Sequence, residues 1–578
     1  MNKTAAELAI FALEQIGVKY TFGIPGVHNT ELYDGLNSSK LIEPILVTHE
    51  GCASFMADAV SRTSETIGTL IIVPAAGTTH AMSGIGEAFL DGIPMLIIIG
   101  GTRNDSGRYY QLHQLDQAKL VGSITKGFFL IEKYEEVIPT IYKAYELATS
   151  GEPGPVFIEI PVNLQLFSGK VDELPLYQKK SHIANPDSDK INKAVELLVN
   201  ARQPGIYVGW GAVDASEQTK RIAELIVAPV ATTLQGKSAF PANHPMYTGV
   251  GFGAAAKPAG QNAFAHCDCL LAVGVRFSEL ATGSYGIPEP ENLIHIDINP
   301  NVFNKNYRAV LSIEGDAFLV LKAIADELEK RKLKVSRDLE SLAKKIKADN
   351  DKYFEKWLGQ KKQDLVSPGY FFKALREKVA NDALMVVDDG LHTFLAAELF
   401  DVYHPRHFIS PTDFNAMGYC IPAAVGSKLV NPAKQVIGIV GDGSVMMTGM
   451  ELITAVTNAL PLIIFVFHDG ELGQISQFQS IPLNRKTCTK IGMLNVEGIA
   501  IATGAEFLAM NNDNEIDAIL EKAIEGMNKG KVVLVDVKID YSQKTMLTKG
   551  VVKTNLSRFP LKEKIRFIGR AIKRHVFD

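Results

Sequence analysis

The amino-acid sequence predicts an α/β protein built from three doubly wound parallel-sheet domains. Short runs of β-branched and apolar residues alternate with helical patterns along most of the chain, which is typical of parallel sheets covered by helices. The most apolar runs, residues 94–100 and 462–467, are continuous rather than alternating, as expected of strands buried on both faces. A chain of 578 residues has room for three or four domains of about 150 residues each.

The strand pattern occurs in three groups along the chain. The predicted strands are 20–23, 44–48, 69–73, 95–99 and 156–160 in the first group, 205–208, 270–273 and 293–297 in the second, and 385–387, 436–440, 462–467 and 532–536 in the third. A polar linker over 168–190 separates the first two groups, and a charged helical run over 327–362 leads to the third. The expected divisions of the chain are therefore three domains and a basic tail, at 1–175, 190–345, 366–545 and 546–578.

Composition argues against several classes of protein. With 46% hydrophobic and 21% charged residues and a net charge of -5, the chain gives no reason to expect a nucleic-acid partner. Its apolar runs are far shorter than the roughly 20 residues that cross a bilayer, and the N-terminus shows no secretory pattern. Five cysteines in so long a chain do not form a disulfide framework. We expect a cytoplasmic protein with no membrane partner.

A strand, a glycine-rich turn and a helix follow one another over residues 436–458. Gly441 and Gly443 let the backbone approach a phosphate group closely, and free N–H groups near Ser444 would point at it. Asp442 can hold a cation that bridges two phosphoryl oxygens. By itself Gly-Asp-Gly is also an ordinary turn, so the interpretation depends on the next strand.

That next strand supplies a second carboxylate, Asp469, 27 positions after Asp442. Because ligands of open α/β sheets bind at the carboxyl ends of the strands, both aspartates are expected to face one site. A hard cation such as Mg²⁺ would take these two carboxylates and a main-chain carbonyl, which we assign to Glu471. The sequence thus predicts a diphosphate and metal site.

These segments resemble the thiamine diphosphate enzymes related to acetohydroxyacid synthase, pyruvate decarboxylase and benzoylformate decarboxylase, and the resemblance covers nearly the whole chain. In that family an Asn-Asn pair follows Gly-Asp-Gly at about this spacing, and His468-Asp469 stands in its place here. Aspartate keeps the oxygen that ligates the metal but adds negative charge beside a diphosphate. The resemblance implies the thiamine diphosphate-binding fold. It also implies further cofactor contacts from Gly26, Leu472 and Gly473.

In this family a carboxyl group must contact N1′ of the cofactor aminopyrimidine. Glu50 lies where a predicted buried strand turns into a helix of small residues, and partial burial is expected to raise its pKa. Residues 47–59 resemble the family's glutamate motif, so we assign Glu50 as the catalytic acid. The alternative is a glutamate favoured only by the helix dipole.

Residues 415–426 resemble the family segment that faces the cofactor rings. There Met417 would sit under the cofactor and force its two rings into a V, and Asn415 would supply a carbonyl toward the aminopyrimidine. An isolated methionine would equally fit core packing. The family forms its site between two chains, so we expect a homodimer or homotetramer with shared active sites.

Three histidines are expected to face the substrate. Residues 22–28 and 75–82 resemble family loops at the reacting carbon, so His28 and His80 are candidates for donating protons or binding a substrate carboxylate or alkoxide. His113 falls where the family commonly has Gln or His. Each could equally be an ordinary loop histidine. By family position, the remaining pocket residues are Gln474, Ile475 and Phe478.

The central domain gives two further indications. Residues 274–283 are close to a segment that ends in a second arginine in acetohydroxyacid synthase, and Leu280 stands at that position here. The missing guanidinium would pair with the carboxylate of a second 2-oxo acid, which disfavours the biosynthetic enzyme. Residues 209–212 and 296–300 resemble the flavin-binding version of the domain, but the glycines are too few to decide whether FAD binds.

We expect a carboligase of the acetolactate-synthase type, in which a 2-oxo acid donor is decarboxylated and the resulting enamine attacks a second carbonyl compound. The main alternative is a non-oxidative decarboxylase that releases an aldehyde. A non-catalytic cofactor- or acyl-coenzyme A-binding relative and a flavin-linked oxidoreductase are further alternatives. Donor and acceptor stay open, because one methylene changes selectivity by only about 1–3 kcal/mol.

Overall fold

The structure is a computed structural model that describes residues 1–179, 185–331, 337–359 and 361–576. Three six-stranded sheets, each parallel throughout, are flanked by helices in this part of the chain. The predicted fold class is therefore confirmed.

The first sheet has the order β3-β2-β4-β5-β7-β6, and a separate antiparallel pair joins β1 to β8. The strands are β1 (Asn2–Thr4), β2 (Tyr20–Gly23), β3 (Glu43–Leu46), β4 (Gly68–Ile72), β5 (Met95–Gly101), β6 (Gly127–Leu130), β7 (Pro155–Pro161) and β8 (Ser168–Lys170). The helices are α1 (Ala5–Gln15), α2 (Thr30–Ser38), α3 (Glu50–Thr63), α4 (Ala76–Asp91), α5 (Gln117–Val121), α6 (Val137–Thr149) and α7 (Val162–Leu166). Strands β4 and β5 are buried along their whole length, which explains their continuous apolar sequence.

The second sheet has the order β11-β10-β9-β12-β13-β14. Its strands are β9 (Pro204–Val208), β10 (Val230–Thr232), β11 (Tyr247–Val250), β12 (Cys269–Val273), β13 (Asn292–Asp297) and β14 (Leu311–Glu314). The helices are α8 (Ser188–Asn200), α9 (Ser216–Ile226), α10 (Pro258–Ala263), α11 (Ala317–Lys330) and α12 (Leu339–Glu355). The short strands β10, β11 and β14 were not predicted.

The third sheet has the order β16-β15-β17-β18-β20-β19. Its strands are β15 (Leu384–Val387), β16 (Phe408–Ile409), β17 (Val436–Gly441), β18 (Ile463–Phe467), β19 (Glu506–Met510) and β20 (Val533–Val537). The helices of this region and of the tail are α13 (Pro368–Lys378), α14 (Leu391–Leu399), α15 (Cys420–Val430), α16 (Asp442–Thr448), α17 (Leu452–Thr457), α18 (Gly473–Leu483), α19 (Val496–Thr503), α20 (Ile516–Asn528), α21 (Met546–Arg558) and α22 (Leu561–Val576).

Two predictions about the connections need correction. The charged run over 327–362 is not one helix, because α11 ends at Lys330 and Asp338 caps a new helix by accepting hydrogen bonds from the next N–H groups. The predicted linker over 168–190 contains β8 at its start and the first turn of α8 at its end. The residues 180–184 and 332–336 of these two stretches lie outside the described residues.

The first and third sheets are joined by the packing of α3 against α15. A side chain at Gly426 would come within 2.5 Å of the Met56 carbonyl oxygen, so glycine is required for this approach. Across the same contact the Tyr419 hydroxyl donates a 2.6 Å hydrogen bond to buried Asp58, which also pairs with Arg62. This interface fixes how the carboxyl ends of the two sheets lie relative to each other.

None of the helices in the described residues is both long enough and apolar enough to cross a membrane.

Candidate active site

Glu50 is the first residue of α3, at the carboxyl edge of the first sheet. His49 caps the helix, because its Nδ1 accepts a 3.0 Å hydrogen bond from the Gly51 N–H. The Glu50 side chain is buried, and the helix that follows is buried along its whole length. A carboxyl group therefore stands at the buried and capped start of this helix.

His80 is the direct partner of Glu50. Its Nδ1 lies 3.0 Å from Oε2 of Glu50, and its ring stacks on that of His49 at 4.7 Å. The His80 side chain is 49% exposed, whereas that of Glu50 is 9% exposed. The histidine therefore lies between the buried carboxylate and the open side of the site.

His28 and His113 form a second pair, with ring centroids 5.1 Å apart in an edge-to-face arrangement. Nδ1 of His113 lies 3.1 Å from the Pro74 carbonyl oxygen, beyond β4, while Nδ1 of His28 is buried with no hydrogen-bond partner in the described chain. Burial, followed by the charge of His113, lowers the pKa of His28. His28 is therefore neutral at pH 7.

The Gly-Asp-Gly turn joins β17 to α16. Strands β17 and β18 are adjacent and parallel, with Gly441 paired to Phe467, so Asp442 and Asp469 follow neighbouring strands at one edge. The buried Asp442 carboxylate accepts hydrogen bonds from the N–H groups of Gly470 at 2.7 Å, Gly443 at 2.8 Å and Asp469 at 3.2 Å. The structure thus brings the two aspartates together.

Negative charge accumulates at this edge. Burial and then the charge of Asp442 raise the pKa of Asp469 to about 7. His468 stands beside them, with Nδ1 3.0 Å from Asp536 and Nε2 3.8 Å from Asp442, and the Asp536 hydrogen bond raises the pKa of His468. The Glu471 side chain turns away and pairs with Lys486 at 2.7 Å. Two carboxylates thus lie close together at this edge, with the imidazole of His468 beside them.

No group of three or more His, Cys, Asp or Glu side chains within the described ranges could hold a metal ion. The predicted metal site draws on two carboxylates and one main-chain carbonyl, so it does not depend on such a group.

Met417 and Leu472 flank the diphosphate turn. A Cβ atom placed on Gly443 would lie 2.7 Å from Cδ2 of Leu472 and 3.6 Å from Cε of Met417. Asn415, two residues earlier, has φ of 63°, a left-handed conformation that asparagine tolerates. Gly473, which begins α18, is equally confined, since its Cβ would lie 2.9 Å from Asp469. The cofactor-binding candidates of the third sheet therefore share one edge.

Asp388 is a residue of this site that the sequence reasoning missed. It is buried and accepts hydrogen bonds from the Cys420 N–H at 2.7 Å, the Gly418 N–H at 2.9 Å and the Ser444 hydroxyl at 2.7 Å. The Ser444 side chain is therefore held by Asp388, and only its backbone N–H is a candidate phosphate donor. The signal was the Asp388-Asp389 pair at the end of a predicted strand.

Two buried glutamates, also missed, hold the first and third sheets together. Glu87 accepts hydrogen bonds from the N–H groups of Thr412 at 3.0 Å and Ala416 at 3.1 Å, and so fixes the segment that leads into Met417. Glu451 accepts both the N–H, at 3.0 Å, and the hydroxyl of Thr48. No sequence signal distinguishes these residues, because lone glutamates in helical patterns are normally solvated.

The pocket candidates lie on α18. Ile475 and Phe478 are 47% and 43% exposed and stand three positions apart, so they share one face of the helix. Oε1 of Gln474 is buried without a hydrogen-bond partner in the described chain. Two apolar groups and one amide are thus available for a ligand beside the metal loop.

The central sheet contributes a small cleft beside the third sheet, lined in part by Trp210, Arg276, Leu280 and Asp413. Arg276 forms ion pairs with Asp413 at 3.0 Å and Glu152 at 3.3 Å. Gly209 and Gly211, in the segment that resembles the flavin-binding version, both pack closely on Gly274. A Cβ on Gly209 would lie 2.0 Å from the carbonyl oxygen of Gly274.

Three family models match the chain in order. The thiamine pyrophosphate enzyme N-terminal TPP binding domain matches residues 3–120, the central domain 191–324, and the C-terminal TPP binding domain 388–537. Each match falls on a different one of the three large sheets, and the second sheet lies wholly within its match.

Curated relatives match over most of their length. A probable acetolactate synthase large subunit from Methanocaldococcus jannaschii is 33% identical over 93% of this chain and 92% of its own. The acetolactate synthase large subunit of Haemophilus influenzae is 30% identical, and isozyme 3 of Escherichia coli is 28% identical, each over 93% of this chain and 95% of its own. The chain therefore belongs to the acetolactate synthase large-subunit family of thiamine pyrophosphate enzymes.

Proposed function

We propose that this chain is a thiamine diphosphate- and Mg²⁺-dependent carboligase of the acetolactate-synthase type. It decarboxylates a small 2-oxo acid and joins the remaining acyl carbon to a second carbonyl compound. The observation that carries the proposal is the Asp442–Asp469 pair at the carboxyl edge of β17 and β18, in a chain with this family membership. When bound, thiamine diphosphate would supply the nucleophilic carbon and the electron sink of the reaction.

The charge of the aspartate pair fits a divalent cation. Without a cation, burial and Asp442 raise the pKa of Asp469 to about 7, so this carboxyl keeps part of its proton at pH 7, and a bound Mg²⁺ would favour both ionised carboxylates. Asp442 and Asp469 would hold the metal, and the backbone at Gly441, Gly443 and Ser444 would face the diphosphate.

The main-chain carbonyl of Glu471 suits the third metal ligand. Glu471 faces Lys490 in an isolated antiparallel bridge whose hydrogen bonds are made by the neighbouring residues, from the Ile491 N–H to the Gly470 oxygen and from the Leu472 N–H to the Thr489 oxygen. The N–H and C=O of Glu471 itself therefore point away from Lys490. Its N–H reaches Asp469 at 3.4 Å, so its carbonyl lies toward the same side.

Glu50 would hold and move a proton at the aminopyrimidine. A buried carboxyl group with a single histidine partner is suited to share a proton, because water does not compete for it. His80 lies between Glu50 and solvent and would return that proton. His28 and His113 would hydrogen-bond substrate oxygens, with His28 in its neutral form. The pocket wall would come from Gln474, Ile475 and Phe478.

A homodimer is supported by exposed apolar side chains around both halves of the site. Met446, Met447 and Met450, on and just beyond α16, are 50–60% exposed. Val27 and Leu46, beside the loops that carry His28 and Glu50, are 66% and 64% exposed. Exposed apolar side chains grouped in this way are typical of a protein interface. The Glu50 edge of one chain would thus face the Asp442 edge of its partner.

We also propose the domain divisions 1–175, 190–345 and 366–545 with a tail at 546–578, since the strands of each large sheet lie within one division. A cytoplasmic location and the absence of a nucleic-acid partner stay predictions.

The cofactor assignment is tested by calorimetry with thiamine diphosphate. We expect heat of binding with Mg²⁺ present and none in excess chelator, and Asp442→Ala should bind in neither condition. Absence of heat with Mg²⁺ would end the proposal.

The reaction is tested with pyruvate and a set of carbonyl acceptors. We expect carbon dioxide release together with a ligated hydroxyketone product, and free aldehyde as the sole product would indicate a simple decarboxylase. Glu50→Gln should keep cofactor binding and lose about 10²–10⁴-fold in turnover, as for other general acid–base groups. Glu43→Gln, an exposed change on β3, is the matched control.

A further inference from the structure

The C-terminal helix α22 has an apolar stripe that the protein does not cover. Leu561, Ile565, Ile568 and Ile572 recur at the spacing of one helix face. They are 74%, 63%, 49% and 55% exposed. A surface helix normally turns such a stripe toward the core, so this exposure needs an explanation.

The helix contacts the rest of the molecule through a different face. It packs beside α18, where the Asn484 side chain donates to the Arg574 carbonyl at 2.9 Å and the Arg574 side chain donates to the Leu483 carbonyl. Phe567, on this contact side, is partly buried and lies 5.8 Å from the ring of Phe559. Because the helix contacts the protein through polar groups and Phe567, its isoleucines face outward.

The charge of α22 is strongly positive. Residues 561–576 contain six basic side chains and one acidic side chain, in a chain whose net charge is -5. The helix before it, α21, adds three basic side chains and no acidic one. On a helical projection Lys562, Arg566 and Lys573 group together on one side of the isoleucine stripe. The helix thus combines an apolar stripe with a cationic flank.

We propose that α22 binds the surface of a lipid bilayer that contains anionic headgroups. The stripe would enter the boundary between headgroups and acyl chains, and the basic flank would contact the headgroups. A helix of 16 residues is about 24 Å long, so it would lie in the plane of the bilayer rather than cross it. A helix that lies flat needs no run of about 20 apolar residues, so this binding is compatible with the short apolar runs of the chain.

Charge favours this occupant over a second copy of the same helix. Two α22 helices paired through their isoleucine stripes would bring two cationic flanks together, which is unfavourable, whereas an anionic surface compensates the same flank.

The test is co-sedimentation of the full chain with vesicles. We expect binding to vesicles of phosphatidylcholine with phosphatidylglycerol, at least tenfold weaker binding to phosphatidylcholine alone, and loss of binding at high salt. Ile565→Ser with Ile568→Ser should weaken binding at least tenfold, and so should Lys562→Gln with Arg566→Gln. Ile501→Ser removes an isoleucine that is 75% exposed elsewhere and should leave binding unchanged.

Circular dichroism and light scattering complete the test, because they show whether the variants fold and associate as the parent does. The following results overturn the proposal. One is absence of binding to the anionic vesicles, or equal binding by the isoleucine variant. The other is a change of oligomeric state in the isoleucine variant without vesicle binding by the parent, which would assign the stripe to a second copy of the chain.

Discussion

Nδ1 of His80 lies 3.0 Å from Oε2 of Glu50, and the two residues come from neighbouring helices, α4 and α3, that follow different strands of one sheet. Their approach depends on Gly84, where a Cβ would come within 2.3 Å of the Ser54 hydroxyl. Close helix packing thus sets the distance between the candidate acid and its histidine partner.

His80→Ala should lower turnover about tenfold or more while leaving cofactor affinity within about threefold, since a hydrogen bond to a charged group contributes about 1.5–3 kcal/mol. Single-turnover kinetics and cofactor calorimetry separate the two effects. The exposed His266→Ala is the control. Unchanged turnover in His80→Ala would remove His80 from the proton path.

Asp469→Asn should change the pH dependence of stability of the metal-free protein. In the folded protein the pKa of Asp469 is raised to about 7, above its value in the unfolded chain. Protonation of Asp469 therefore stabilises the fold fully below the unfolded pKa, and this contribution to the free energy of unfolding is lost as pH rises toward 7. Between about pH 5 and 6.5 the parent should lose about 1.4 kcal/mol per pH unit relative to Asp469→Asn.

Urea unfolding in the presence of a chelator measures this difference. If the free energy of unfolding of the parent and of Asp469→Asn changed with pH in parallel, Asp469 would already be ionised at pH 5. That result would contradict a pKa of Asp469 raised by burial and by Asp442.

Gly443→Ala should raise the concentration of thiamine diphosphate needed for half-maximal activity at least tenfold, a loss of about 1.4 kcal/mol. The new methyl group would lie 2.7 Å from Leu472, so the loop must shift where the backbone faces the diphosphate. Gly492→Ala, which meets no atom within 4 Å, should behave like the parent. Titration of activity with the cofactor checks both variants, and equal values would contradict the assigned turn.

Thr48→Val should lower the free energy of unfolding by about 1–3 kcal/mol, because it removes a hydroxyl donor from the fully buried Glu451 carboxylate. The change lies two residues before Glu50, so turnover should also fall. Thr66→Val removes a hydroxyl that bonds the Gly17 carbonyl near the surface, and it should cost less than about 1 kcal/mol. Urea unfolding and initial rates measure both effects.

Much of the fold was predictable from local pattern. The strands β4, β5 and β18 have continuous apolar sequences because they are buried on both faces. Strand β6 was missed although its sequence is apolar, and it lies at a sheet edge where its residues are only partly buried. The positions of Asp442 and Asp469 were predictable because both follow strands that the sequence identified.

The sequence by itself determined the three parallel sheets and the residues at the carboxyl ends of their strands, because burial and turn formation act over a few neighbouring positions. Only the tertiary structure decided that the Glu451 carboxylate accepts a hydrogen bond from Thr48 and that the Glu87 carboxylate accepts one from Ala416. It also decided that the isoleucines of α22 face outward. The hydrogen bonds join residues that are far apart in the chain, and the exposure of the isoleucines depends on which face of α22 packs against the rest of the protein. They are decided by packing between elements, which local periodicity does not encode.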